Sequence, residues 1–196
     1  MNVVPGLIGV ILTMTLVMFT AMAIVRERER GNLELLITTP VSSGELMIGK
    51  VLPYIGVGLV QTTVVLLLGV WLFKVPINGS LWGVYGAAML LIVANLTLGL
   101  LVSTAAKTQF QAMQMAFFLF LPSILLSGFM FPFDGMPKAA QWIAEVLPLT
   151  HFVRLIRGVI LRGADLLELW PDVLALLAFT VVVMSLAILR FRKRLD

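Results

Sequence analysis

Five alternating charges, Arg26-Glu27-Arg28-Glu29-Arg30, followed by Gly31, stand between two long apolar stretches. No other feature of the chain constrains its fold as tightly. A charged side chain in hydrocarbon costs about 2.5–3.5 kcal/mol even on the milder insertion scales, so this run must lie at a membrane surface. Beyond Gly31, Leu33, Leu36 and Ile37 recur at i, i+3 and i+4, with Asn32 and Glu34 off that stripe. This is the pattern of a short amphipathic helix lying on the surface, and Pro40 ends it. Alternating charge followed by such a helix and a Thr39-Pro40 stop reads as a docking element rather than a plain loop.

The rest of the composition fits a membrane setting. Of the 196 residues, 60% are apolar and 12% charged, whereas soluble domains run at about 45–50% and about 25%. Crossing a hydrocarbon core takes about 20 mostly apolar residues. Five runs qualify: Pro5–Val25, Val51–Phe73, Trp82–Ala105, Ala112–Phe131 and Pro171–Leu189. The fold class is therefore all-α integral membrane, and residues 1–196 are read as a single transmembrane domain in the lipid bilayer. There is no cysteine, which excludes disulfides and thiolate metal sites. The net charge of +4 is explained by cations at the ends of spans, not by nucleic-acid binding.

Those cations set an expected orientation. Arg26, Arg28, Arg30, Lys50, Lys107, Arg190, Arg192, Lys193 and Arg194 fall on one side; Lys74, Lys138, Arg154, Arg157 and Arg162 fall on the other, mixed with acids. The positive-inside rule places the first group in the cytoplasm, with the N-terminus outside and the C-terminus inside. An outside N-terminus only four residues ahead of the first span, without a signal-peptide n-region, points to an upstream region. The alternative is a short neutral tail that crosses by itself.

Along the chain, Ser42 to Glu45 matches a capping box that starts the helix of the second span, with Pro53 in its early turns. Trp71 and Trp82 flank a turn rich in breakers, where aromatic residues favour the interface. Asn95, in the middle of the third span, must find a partner; it is read either as a helix-packing residue or as lining a route. The fourth span ends in Pro and Gly. Two short helices follow, residues 138–147 and His151–Arg162, the second capped by Thr150 and stopped by Gly163. At 100° per residue His151, Arg154, Arg157 and Arg162 share an arc of about 140°. Phe152, Leu155, Ile156, Val159 and Ile160 lie opposite. This helix, about 18 Å long, is too short and too charged to span. It is expected at the outer leaflet, re-entrant or lying flat, with His151 facing headgroups.

Little in the chain resembles catalytic machinery. There is no phosphate-binding Gly-x-x-x-x-Gly-Lys loop and no His pair at metal spacing, so the chain is read as a non-enzyme with no metal or cofactor of its own. No acidic residue lies inside a span, whereas ion-coupled carriers rely on intramembrane ionisable groups. The energy for any transport must then come from a partner.

The segment RERERGNLELLITTPVSSGELMIGK, Arg26 to Lys50, resembles the coupling segment of type-2 ABC exporter permeases. In that family an E-R-E-x-G-T-L-E-x-L-L-x-T-P-type sequence docks onto the ATP-binding subunit. PLTHFVRLIRGVILRG, Pro148 to Gly163, resembles the pattern between the family's last two spans. Asn32 stands where Thr is commoner. The resemblance covers essentially the whole chain and matches spans two to six of a bacterial permease of the multidrug-efflux branch, without the first span and external domain. It implies ATPase coupling through Arg26, Glu27, Arg28, Glu29, Arg30, Gly31, Leu33, Glu34, Leu36, Ile37, Thr39 and Pro40. It further implies an ABC ATP-binding subunit carrying ATP and Mg, a second permease copy as homodimer or heterodimer, and a bacterial inner-membrane location. Drugs or other amphipathic molecules are the candidate substrates. The competing reading is a structural or assembly membrane protein, or a non-functional truncated permease.

Overall fold

The computed structural model describes residues 3–30, 43–74 and 77–192. Seven α-helices make up these residues: α1 Val3–Glu29, α2 Ser43–Phe73, α3 Leu81–Ala105, α4 Gln109–Leu126, α5 Lys138–Val146, α6 Pro148–Arg162 and α7 Trp170–Arg192. A 3-10 turn, Phe133–Gly135, precedes α5, and no strand occurs among the described residues. Five of the helices, α1, α2, α3, α4 and α7, are long and apolar enough to cross a membrane. Backbone groups in hydrocarbon have no water to bond, so they must be satisfied within each helix.

The five spans are not equivalent. The most apolar windows of α1 and α3 are 61% and 67% buried inside the protein, against 17–22% for α2, α4 and α7. α3 packs against α1, α2, α4, α6 and α7. The outward faces of α2, α4 and α7 carry large exposed apolar side chains such as Leu67, Phe118 and Val181, as lipid-facing surfaces do.

Small residues decide how α1 and α3 meet. A Cβ added at Gly99 would stand 2.8 Å from Thr20 Cβ and 3.0 Å from the Val17 carbonyl oxygen. The two helices thus approach backbone to side chain, which raises dispersion contact where no hydrophobic force acts between helices in lipid. Asn95 is fully buried and donates from Nδ2 to Thr13 Oγ1 at 3.2 Å, so it serves α1–α3 packing. The Thr15 hydroxyl lies 2.7 Å from the Ile11 carbonyl oxygen and 2.9 Å from the side-chain amide of Gln61 of α2. Thr63 of α2 lies 2.8 Å from the Tyr85 hydroxyl of α3.

The packing of α6 fits the re-entrant one of its two expected placements. Phe152 and Leu149 press against the Gly9 position of α1, and eleven of its fifteen residues are buried, including Leu155, Ile156 and Val159. It is wedged among α1, α3 and α7 as a re-entrant element. Its start differs from the sequence expectation: Pro148 opens the helix with Leu147 at the N-cap, a position suited to a residue with fixed φ and no N–H. Thr150 is therefore inside the first turn, buried, and its hydroxyl has no partner. The C-terminal stop falls where expected. Gly163 takes the left-handed conformation at φ 67°, and the Ala164 N–H closes back on the Gly158 carbonyl at 3.1 Å in a glycine-terminated end.

The α1–α3 approach leads to a stability prediction. Gly99→Ala forces a methyl group into a contact that backbone atoms cannot relieve, and overpacking of this kind costs about 1–3 kcal/mol. Gly56→Ala, where an added Cβ meets nothing within 4 Å, is the control. Unfolding in mixed micelles with increasing SDS is expected to shift to lower SDS for Gly99→Ala and stay unchanged for Gly56→Ala. A double-mutant cycle on Thr13→Ala and Asn95→Ala is expected to show coupling of about 0.6–1.7 kcal/mol, the range of interhelical hydrogen bonds in lipid.

Candidate functional site

The charged run is the end of a helix. α1 continues without a break through Glu29, and the Arg30 N–H still bonds the Arg26 carbonyl at 3.1 Å. Successive residues on a helix point 100° apart, so adjacent charges address different neighbours. Glu27 forms an ion pair with Lys50 of α2. Arg28 Nη1 donates to the Ser103 and Ala106 carbonyls at 3.2 and 3.1 Å, at the C-terminus of α3. Cations are favoured there and the last carbonyls lack helical partners. Glu29 accepts from the Gln109 backbone N–H at 3.0 Å and from Gln109 Nε2 at 2.5 Å. Gln109 is the first residue of α4, where unpaired N–H groups and the helix dipole favour a carboxylate. Thr108 caps the same end by accepting from the Gln111 N–H at 3.2 Å.

Three consecutive side chains therefore tie one end of α1 to α2, α3 and α4. Arg26 and Arg30 point outward and are exposed. The remaining residues of the expected docking element, Gly31, Leu33, Glu34, Leu36, Ile37, Thr39 and Pro40, lie outside the described residues. Composition showed that the charges must leave the membrane. The division of labour among Glu27, Arg28 and Glu29 was not apparent from it, because those partners are 23 to 80 positions away. The one available signal was the alternation of sign.

Several grooves open between the described helices, and two of them are walled by α4. One of about 360 Å³ lies between α1 and α4, lined by Met14, Met18, Phe110, Met113, Gln114 and Phe117 among others. Its walls are almost wholly apolar, and flexible Met side chains suit an adaptable surface. The second, about 700 Å³, lies between α3, α4 and α7, with Met115 on its wall and Arg190 at its rim. Met113 and Met115 thus serve different grooves. Asn95 and the threonines Thr13, Thr15 and Thr20 line neither.

At the opposite end, the polar arc of α6 is used inside the protein. His151 is buried, which corrects the expectation that it faces headgroups. Its Nδ1 lies 2.8 Å from Asp172 Oδ1 at the start of α7, and its Nε2 lies 2.8 Å from the Glu145 carbonyl oxygen of α5. Arg154 holds the Glu145 carboxylate in a two-pronged bond, 3.1 and 2.6 Å, and stacks 4.4 Å from the Phe133 ring centre. Arg157 donates to the Gly128 carbonyl at 3.0 Å, where the chain breaks out of α4 at φ 78°. Arg162 alone of the four is exposed, and beside it Asn78 bonds the carbonyls of Ile160 and Leu161. Burial disfavours the imidazolium of His151. The Asp172 hydrogen bond, the Glu145 carbonyl and both nearby carboxylates outweigh it, so the pKa of His151 is raised above its ordinary value. Trp71, Trp82, Trp142 and Trp170 are all exposed at this end, as an interfacial aromatic belt requires.

Comparison with known proteins agrees with this architecture. Residues 1–161 match the family model described as ABC-2 type transporter. The probable multidrug ABC transporter permease YbhS of Escherichia coli K12 is 34% identical over 195 residues, covering 99% of this chain and 52% of YbhS. The probable multidrug ABC transporter permease YbhR of the same strain is 34% identical over 192 residues, 98% of this chain and 52% of YbhR. ABC transporter G family member 20 of Dictyostelium discoideum is 27% identical over 192 residues, 97% of this chain and 26% of that protein. The chain spans about half the length of the bacterial relatives it matches. With five spans, a charged helix end and a match over more than half its length, the chain belongs to the ABC-2 type transporter family.

Proposed function

We propose that this chain is the membrane-spanning part of an ATP-driven exporter, working as a pair of copies, each docked on a separate ABC ATP-binding subunit. The observation that carries this reading is the three-way anchorage of Glu27, Arg28 and Glu29 immediately before the Gly31–Pro40 segment. A push on that segment reaches α2, α3 and α4 together, because α1 is tied to each of them at that end. Leu33, Leu36 and Ile37 supply the apolar anchors of the docking segment, and the outward-facing Arg26 and Arg30 supply its charge complementarity. ATP and Mg are held by the partner, and closure of the two ATPases tilts the attached spans. The Met- and Phe-lined groove between α1 and α4 suits drugs or other amphipathic molecules, in line with the names of the bacterial relatives. In this reading the Arg26–Arg30 end is cytoplasmic, as its cations require, and the host membrane is a bacterial inner membrane.

Docking and transmission separate experimentally. The triple charge reversal Arg26→Glu, Arg30→Glu, Glu34→Arg is expected to leave membrane insertion intact and to abolish co-purification of the ATP-binding subunit with the tagged protein. Unchanged co-purification would overturn the docking assignment. Glu27→Lys is expected to retain the ATPase subunit and lower substrate-stimulated ATP hydrolysis several-fold. The exchange Glu27→Lys with Lys50→Glu is expected to restore most of it, since the ion pair is re-formed with reversed sense.

A further inference from the structure

The cluster around His151 lies at the end of the bundle away from the docking segment, and the exporter mechanism above leaves it unused. Its geometry has one unusual property. Both ring nitrogens face groups that only accept, the Asp172 carboxylate and the Glu145 carbonyl, each at 2.8 Å. A neutral imidazole has one N–H and can serve one of them; the imidazolium serves both. Protonated His151 thus joins three elements, α5 through Glu145, its own α6, and α7 through Asp172.

The surrounding charges leave this the main tie. Arg154 is committed to Glu145 and reaches Asp172 at 3.8 Å. α1, α3 and α4 carry no Asp, Glu, Lys, Arg or His where they pack on α6. Asp134, Asp165 and Glu168 in the adjoining turns, Lys138 at the start of α5 and Arg162 at the end of α6 are exposed, and Arg157 donates to the Gly128 carbonyl. The side chains of Glu145 and Arg154 are 43% and 35% exposed, which gives aqueous protons a path to the ring.

We propose that His151 is a proton-operated latch that ties the α5–α6 pair to the start of α7 through both ring nitrogens while charged and loosens that tie by one of its two bonds on deprotonation. Loss of the proton leaves either Asp172 or the Glu145 carbonyl without its donor. With the remaining proton on Nε2, Asp172 keeps only the longer contact to Arg154; with it on Nδ1, the Glu145 carbonyl loses its donor. Because α6 is wedged among α1, α3 and α7, release loosens the packing of both central spans at this end. The direction follows from the raised pKa of His151. The tie is fully present below the unfolded value of about 6.5 and is lost as pH rises through the higher folded value.

Two features of the chain make the test clean: it has one histidine and no cysteine. In the protein reconstituted into nanodiscs, a histidine-selective NMR titration is expected to give one transition above pH 6.5. Asp172→Asn is expected to move it down, since it removes the charged acceptor beside Nδ1. In parallel, spin labels on Ile143→Cys of α5 and Leu174→Cys of α7, both exposed in the parent protein, report the latch distance by pulsed EPR with the cluster intact. The distance distribution is expected to broaden or lengthen across the NMR transition, and to be insensitive to pH in the same pair carrying His151→Gln. A titration at or below pH 6.5, or a distance that does not change across the transition, would overturn the latch. Neither readout depends on transport, so failure here leaves the exporter assignment standing and failure of that assignment leaves this one.

Discussion

The close approach of α1 to α3 is the contact on which the other helices depend. In lipid, helices are not driven together by exclusion of water, so a stable pair needs shape-matched packing and a few interhelical hydrogen bonds. Gly99 against Thr20 and Val17 supplies the first, and Asn95 to Thr13 supplies the second. With that pair in place, α2, α4 and α7 need bury only one face each, and their other faces remain lipid-exposed. α6 then finds a wedge-shaped site it could not make alone, since a helix of fifteen residues is too short to cross the membrane.

Charge is handled by the same logic at the two ends. A charged group at a membrane border is tolerable only if it reaches water or is paired. At one end the solution is to place charges on helix termini: Arg28 on the carbonyls ending α3, Glu29 on the N–H groups opening α4. The helix dipoles make both placements favourable. At the other end the solution is a network of side chains, in which His151 and Arg154 of one helix satisfy Glu145 and Asp172 of its neighbours. One end has a rigid anchorage; the other has a tie whose strength follows a proton.

α1 connects these two devices. α1 is anchored by its last residues at the docking end and contacts α6 near its start through Gly9. In the exporter proposed above, a displacement entering at Arg26–Arg30 would travel along α1 to the helix that holds His151. This gives the re-entrant helix a mechanical place in the exporter proposed above, as the element against which the far ends of α1 and α3 move.

Much of the architecture was legible in the sequence, because it follows from local properties. Apolar run length specifies the five spans, Pro and Gly specify where α4 and α6 end, and the clustering of charge specifies which residues lie at membrane borders. The side of α6 that faces its neighbours was misjudged for a physical reason. A basic stripe reads as a surface, and only Glu145 on the neighbouring short helix and Asp172 on another span turn that stripe inward. Likewise alternation of sign marked Arg26–Arg30 as a contact element, yet Lys50, Ser103 and Gln109 as the partners of Glu27, Arg28 and Glu29 came from helix packing alone. The sequence by itself determined membrane residence, span number and the position of every charged border, since each depends on the transfer energy of nearby residues. The tertiary structure decided which of those charges are used internally and which face outward, because pairing requires two groups to meet in space and no local pattern encodes that meeting.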